Sequence, residues 1–141
     1  MRGRFPYQPL LKYPHLSKAE AEIWERFITM FPRFFDSVDY DVTVGDVRPT
    51  PEKLDAATER NRQYLGKWKI DVVAWLGDAA TIIEIKKDAD TKALGENWLY
   101  VKCFKAEHPD IKDVNEMILS DEERPNIRQC CDEAGVALIV V

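Results

Sequence analysis

No apolar run in this chain approaches the length of a membrane helix, and the opening residues MRGRFPYQPL lack the apolar core of a signal peptide. The expected location is therefore the cytoplasm of whatever cell makes the protein. Cysteine is scarce. Cys103, Cys130 and Cys131 are odd in number, two of them adjacent, and fit neither a zinc spacing nor a disulfide framework. They read as reduced core thiols. The two histidines, His15 and His108, each lie beside a proline without a partner at nucleophile or metal-ligand spacing. Six glycines make no phosphate-cradling loop, which counts against a small-molecule phosphohydrolase, and no repeat or low-complexity segment is present. Positive charge is not in excess either: 20 Lys and Arg against 25 Asp and Glu leave a formal net charge of -5. That argues against strong non-specific binding to nucleic acid, whose affinity comes mostly from neutralised phosphates.

What is present suits one soluble α/β domain: 141 residues, 45% hydrophobic and 32% charged. Residues 1–16 hold three prolines and no clear period, and read as an extended arm ahead of a single domain over 17–141. Ser17 with Glu20 forms a capping-box pattern before Ile23, Trp24, Phe27, Ile28 and Phe31, which recur at helical spacing. Residues 36–47 alternate as a strand. Val38, Tyr40, Val42 and Val44 are expected on one face, and Asp39, Asp41 and Thr43 on a solvated face of an edge strand, from which a carboxylate could still approach the neighbouring hairpin if the sheet curves. A short helix is expected from about Pro51 to Tyr64. After a hairpin over 68–88, Asp90 or Thr91 can cap a helix running to about Ala106, with Trp98, Tyr100 and Phe104 as core residues. Val114–Ser120 reads as a strand and Glu122–Ala134 as a helix closed by Gly135. Val136–Val141 reads as a buried strand parallel to the preceding one. The order α-β-β-β-α-β-α-β gives a mixed central sheet with helices on both faces.

The chemistry concentrates in the hairpin, WKIDVVAWLGDAATIIEIKKD. If Gly77-Asp78 is a two-residue loop, Leu76 pairs with Ala79 and Asp71 faces Glu84, with Cβ atoms roughly 4.5–5.5 Å apart. Lys86 shares their face and Ile83 and Ile85 take the other. A four-residue loop would set Asp71 against Lys86 and keep all three on one face, whereas a three-residue loop would break the parity. Two carboxylates at that separation can hold a hard divalent cation that keeps several waters. A lysine beside them can orient water and offset charge growing on a phosphate. The competing reading is an Asp71–Lys86 ion pair with Glu84 solvated. Apolar residues on both faces of these strands argue against it, because an unpaired carboxylate in a covered sheet is costly.

Asp71 followed by Glu84-Ile85-Lys86 resembles the signature of the PD-(D/E)XK nuclease superfamily. In that superfamily an Asp on one strand and a (D/E)-x-K on the next bind metal and activate water. Ala93 to Tyr100, ALGENWLY, is similar to the helix that follows the motif in RecB-like members, where a Gln and a Tyr four residues on recur; here Glu96 stands in the Gln place and Tyr100 in that of the Tyr. The motif spacing also resembles that of archaeal Holliday-junction resolvases. The resemblance implies a restriction-endonuclease-like fold and hydrolysis of DNA with Mg2+ or Mn2+. Asp71, Glu84 and the Ile85 carbonyl would bind metal, Lys86 would position water, and Glu96 and Tyr100 would assist. Related nucleases often bring a Glu from the first helix to the metal, so Glu20 has two readings, cap or ligand. Arg60, Arg62, Lys67 and Lys69 precede Asp71 and are the candidate contacts to DNA. Short acidic members of this kind resemble phage-encoded proteins, which would place the chain in host cytoplasm or with the virion. The alternative is a non-catalytic structural or nucleic-acid-binding module on the same fold. Residues 1–16 would then meet a second copy of the chain or another phage protein.

Overall fold

Gly77-Asp78 sets the register of the sheet. Leu76 pairs with Ala79, so the loop has two residues, and Gly77 takes φ +59° while Asp78 stays out of the left-handed region. Positive φ at the first loop position alone is the pattern of a type II′ turn, whose twist matches that of the flanking strands. The computed structural model describes residues 2–141; Met1, the first residue of the expected arm, lies outside them. The elements are β1 (Phe5–Pro6), α1 (Lys18–Met30), β2 (Ser37–Val44), α2 (Ala56–Gly66), β3 (Trp68–Leu76), β4 (Ala79–Lys86), α3 (Thr91–Glu107), β5 (Val114–Ser120), α4 (Pro125–Ala134) and β6 (Ala137–Val140). The strands lie side by side in chain order. β1 to β4 run antiparallel to their neighbours, and β4, β5 and β6 run parallel. The expected mixed sheet is therefore present, with short β1 added at its edge.

Helices cover both faces. α1 buries Ile23, Trp24, Phe27 and Ile28 against Val38, Tyr40, Val72, Ala74, Ile83 and Ile85. On the other face Tyr100, Val101 and Phe104 of α3 pack on Ile70, Val73, Trp75 and Ile82. Ile127 and Cys131 of α4 pack on Ile118 and Leu138. Each such side chain contributes about 1.5–3 kcal/mol when fully buried. The Ser17–Glu20 capping box forms in both directions. The described part of the arm lies on its own domain. The Tyr7 hydroxyl donates to the Phe31 carbonyl at 2.6 Å, and its ring meets Trp24 and Phe35 edge-on. A side chain at Gly3 would come within 2.7 Å of the Val38 backbone, so only glycine allows this approach.

Several expectations need correction. Val38 and Tyr40 do not share a face with Val42 and Val44; the alternation turns over at Asp41, whose φ is +52°. β2 is not the bare edge, because β1 pairs with it. α2 starts at Ala56, not near Pro51, because Asp55 supplies the cap: its carboxylate accepts the Thr58 N–H at 2.7 Å. Trp98 is exposed, since its place on α3 turns away from the sheet, with Lys102 over its ring. The last strand is a half-exposed edge, and Cys130 lies at the surface while Cys131 alone is fully buried.

Candidate active site

The β3–β4 ladder runs from the turn to Val72↔Ile83 and stops. The next two residues in that register are Asp71 and Glu84. Asp71 turns its carboxylate to the neighbouring strand, where Oδ2 accepts the Ile85 backbone N–H at 2.9 Å. Glu84 stays in line beside Ile118 of β5 and is only 5% exposed. Its carboxyl is crowded by those of Asp71 and Glu96, and its Oε2 finds no hydrogen-bond partner in the protein. A buried acceptor without a donor is costly.

Electrostatics follow from this crowding. Burial holds the Asp71 carboxyl well above its usual range, against the relief given by the Ile85 N–H, and the charges of Glu20 and Glu96 push the same way. Glu84 is raised further, first by burial and then by repulsion from Asp71 and Glu96. The pair therefore shares at least one proton near neutral pH when no cation is bound. Tyr100, one turn beyond Glu96 on α3, has its phenol raised by burial and then by Glu84, Glu96 and Asp71.

Lys86 completes the group. Its Nζ is 3.8 Å from Glu96 Oε1, which Lys92 also approaches at 3.6 Å. Asp71, Glu84, Lys86, Glu96 and Tyr100 are thus brought together. Glu20 caps α1, its Oε2 accepting the Ser17 N–H at 3.2 Å, and still lies close enough to bear on Asp71. Ile85 keeps its side chain in the core and gives its amide to Asp71. The basic cluster divides. Arg62 is held by Glu59 and by the Arg48 carbonyl, and Lys69 donates to the carbonyls of Tyr64 and Lys67, closing the end of α2. Arg60 stands exposed and Lys67 partly so.

The sequence assigns no site role to Asn97, Tyr64 or His15, near the group, and only a conditional one to Asp41. Asn97, buried on the sheet-facing side of α3, donates to the Met117 carbonyl at 3.2 Å and leaves its Oδ1 without a partner. A polar residue among the apolar positions 93, 100, 101 and 104 was the available signal. Asp41 lies opposite Asp71, and Tyr64 and His15 both reach it; nothing local in the sequence marks that meeting.

The fit to a cation can be judged from the donor set. Among the described residues no three His, Cys, Asp or Glu side chains gather closely enough to enclose a metal by themselves. Magnesium does not need that. It is commonly held by one or two carboxylates and keeps several waters, so a buried carboxylate pair with an unpartnered oxygen suits it.

No family model matches the chain, and no curated protein matches it in sequence. Solved structures do. A crystal structure of a repair endonuclease from Pyrococcus abyssi aligns over 92% of this chain and 49% of that one, at a TM-score of 0.51 and 16% identity. The structure of an EndoMS-dsDNA2 complex aligns over 94% and 48%, at a TM-score of 0.50 and 12% identity. The chain spans about half the length of these structures. What is shared at such identity is the fold: a mixed α/β sheet covered by helices.

Proposed function

We propose that this chain is a magnesium- or manganese-dependent nuclease that hydrolyses phosphodiester bonds within DNA. The observation that carries the reading is the buried Asp71–Glu84 pair with Glu84 Oε2 lacking any partner. A protein with no ligand to place there gains nothing from burying two carboxyls side by side, where burial and repulsion oppose their ionisation. The neighbouring repair endonuclease and the DNA complex of EndoMS support DNA as the substrate class.

Asp71, Glu84 and the Ile85 carbonyl would hold the cation, with Glu20 close by. When bound, the ion supplies Lewis acidity toward the phosphodiester and the attacking water. The chain's own groups do the rest. Holding the cation would require the two carboxyls to give up the proton that burial and crowding favour there. The Lys86 ammonium, kept in place by Glu96, orients water and donates N–H groups toward the phosphate oxygens. Tyr100 backs Glu84 and Glu96 from α3. Arg60 and Lys67 are left to meet the phosphate backbone, because Arg62 and Lys69 are spent on α2.

The test is calorimetric titration of Mg2+ or Mn2+ into wild type and Asp71→Ala, with plasmid and branched DNA incubated alongside. Binding and cleavage are expected in wild type, and both should vanish in the variant. Wild type that binds no metal at millimolar concentration and leaves DNA intact would sink the proposal in favour of a non-catalytic module.

A further inference from the structure

The β2–β3 pair keeps one register from Ser37↔Trp75 to Val44↔Trp68, and the position missing from its ladder is Asp41 opposite Asp71. No residue is inserted on either strand, so this is not the usual bulge of two residues against one. Both strands nonetheless change faces here. Val38, Tyr40, Val72 and Ala74 pack on the α1 side, while Val42, Val44 and Ile70 pack on the α3 side. The turnover puts Asp41 at φ +52°, a left-handed backbone that costs a non-glycine residue energy and persists only when its surroundings hold it. Asp71 sits at the same turnover, its carboxylate reaching the Ile85 N–H on β4.

The hold on Asp41 comes from outside the core. From α2 the Tyr64 hydroxyl donates to Asp41 Oδ2 at 2.8 Å, and from the arm His15 Nε2 lies 3.3 Å from the same oxygen. His15 is itself left-handed, at φ +58°. The remaining non-glycine residue with positive φ among the described residues is Asp88, two positions after Lys86. Two of these three left-handed residues, His15 and Asp41, thus meet each other. α2 buries none of its side chains, so the Tyr64–Asp41 bond is an attachment in its own right and not a by-product of packing.

We propose that His15, Asp41 and Tyr64 form a latch that positions Asp71: by fixing the left-handed Asp41 they hold the twist of β2 and β3 that aims the Asp71 carboxylate at Ile85. Its catalytic consequence rests on the nuclease reading above; its structural consequence does not. In the metal-free protein, Tyr64→Phe should speed hydrogen exchange at the Ile85 amide relative to neighbouring ladder amides. It should also weaken Mn2+ binding roughly tenfold, the scale seen when the support behind a metal ligand is removed. On plasmid DNA kcat should fall while KM holds. Adding Asp41→Gly to Tyr64→Phe should restore all three, because glycine takes φ +52° without an anchor. Circular dichroism of each variant separates these effects from unfolding. Unchanged Ile85 exchange and Mn2+ affinity in Tyr64→Phe overturn the latch, and so does a double variant that recovers nothing. If wild type neither binds Mn2+ nor cuts DNA, yet Ile85 exchange responds and recovers as described, the nuclease reading falls and the latch stands.

Discussion

The two ends of the β3–β4 hairpin are made of the same two strands and treat free energy in opposite ways. At the turn end the ladder is complete, Gly77 takes the backbone conformation the loop demands, and Trp75 is buried with its Nε1 donating to Asp39 at 3.0 Å. Among the described residues, no buried side-chain N or O atom there lacks a hydrogen-bond partner. At the other end the ladder stops, two carboxyls crowd together and one buried oxygen has no partner. The difference teaches where stability is made and where it is given up. On the proposed reading, a site meant for a cation is kept poor in internal partners, and the rest of the hairpin makes that tolerable.

The contrast is broken most forcefully at the turn end. Trp75→Ala removes a buried ring that touches Phe104 and carries Arg2 over its face. It should cost about 3–5 kcal/mol in equilibrium unfolding by urea. A loss under about 1 kcal/mol would mean that the turn end does not carry the stability assigned to it.

At the carboxylate end the expected sign reverses. Glu84→Gln keeps the shape of the side chain and removes a carboxyl that the folded protein must hold protonated, so it should stabilise the metal-free protein by about 0.5–2 kcal/mol at pH 8 while abolishing cation binding. The sign follows from linkage. Both carboxyls have folded-state pKa values above their unfolded values of about 4, so the folded protein holds more protons. Their contribution to stability is full below about pH 4 and is lost as pH rises through the folded values. Thermal unfolding from pH 4 to 9 should therefore show wild type falling relative to Glu84→Gln. Metal affinity should move the other way and strengthen with pH, since loading expels a proton. Parallel curves for the two proteins would show that Glu84 bears no such burden.

Much of this hairpin was legible in the sequence because a two-residue loop leaves no freedom of parity. Once Leu76 meets Ala79, the register brings Asp71 and Glu84 to the same step, one beyond the last paired residues Val72 and Ile83. The capping box and the β5–α4–β6 crossover were legible for similar reasons, each depending on residues close in the chain. The turnover at Asp41 was not. Val38, Tyr40, Val42 and Val44 alternate without a fault, and the φ value that breaks them is stabilised by Tyr64 and His15, remote in sequence. Trp98 misled for a different reason: an aromatic on a helix reads as core until the helix is docked, and then its azimuth decides. Glu96 in the place of a glutamine became readable only when Lys86 and Lys92 were seen on either side of it.

The smallest expected effect sharpens the comparison most. Gly77 has φ +59° and open space where a Cβ would stand, so Gly77→Ala meets no clash and is penalised only through its backbone. About 1 kcal/mol of lost stability is expected, the cost of forcing a residue with a Cβ into left-handed conformation. Gly77 lies six positions beyond Asp71, roughly 20 Å of extended strand. If the ends are independent, the loss at the turn and the gain from Glu84→Gln should add within a few tenths of a kcal/mol in the double variant. Mn2+ affinity in Gly77→Ala should match wild type. Non-additivity, or a weaker cation site in Gly77→Ala alone, would show that strain at the turn is transmitted along the strands, and the two ends would then have to be treated as one mechanical unit.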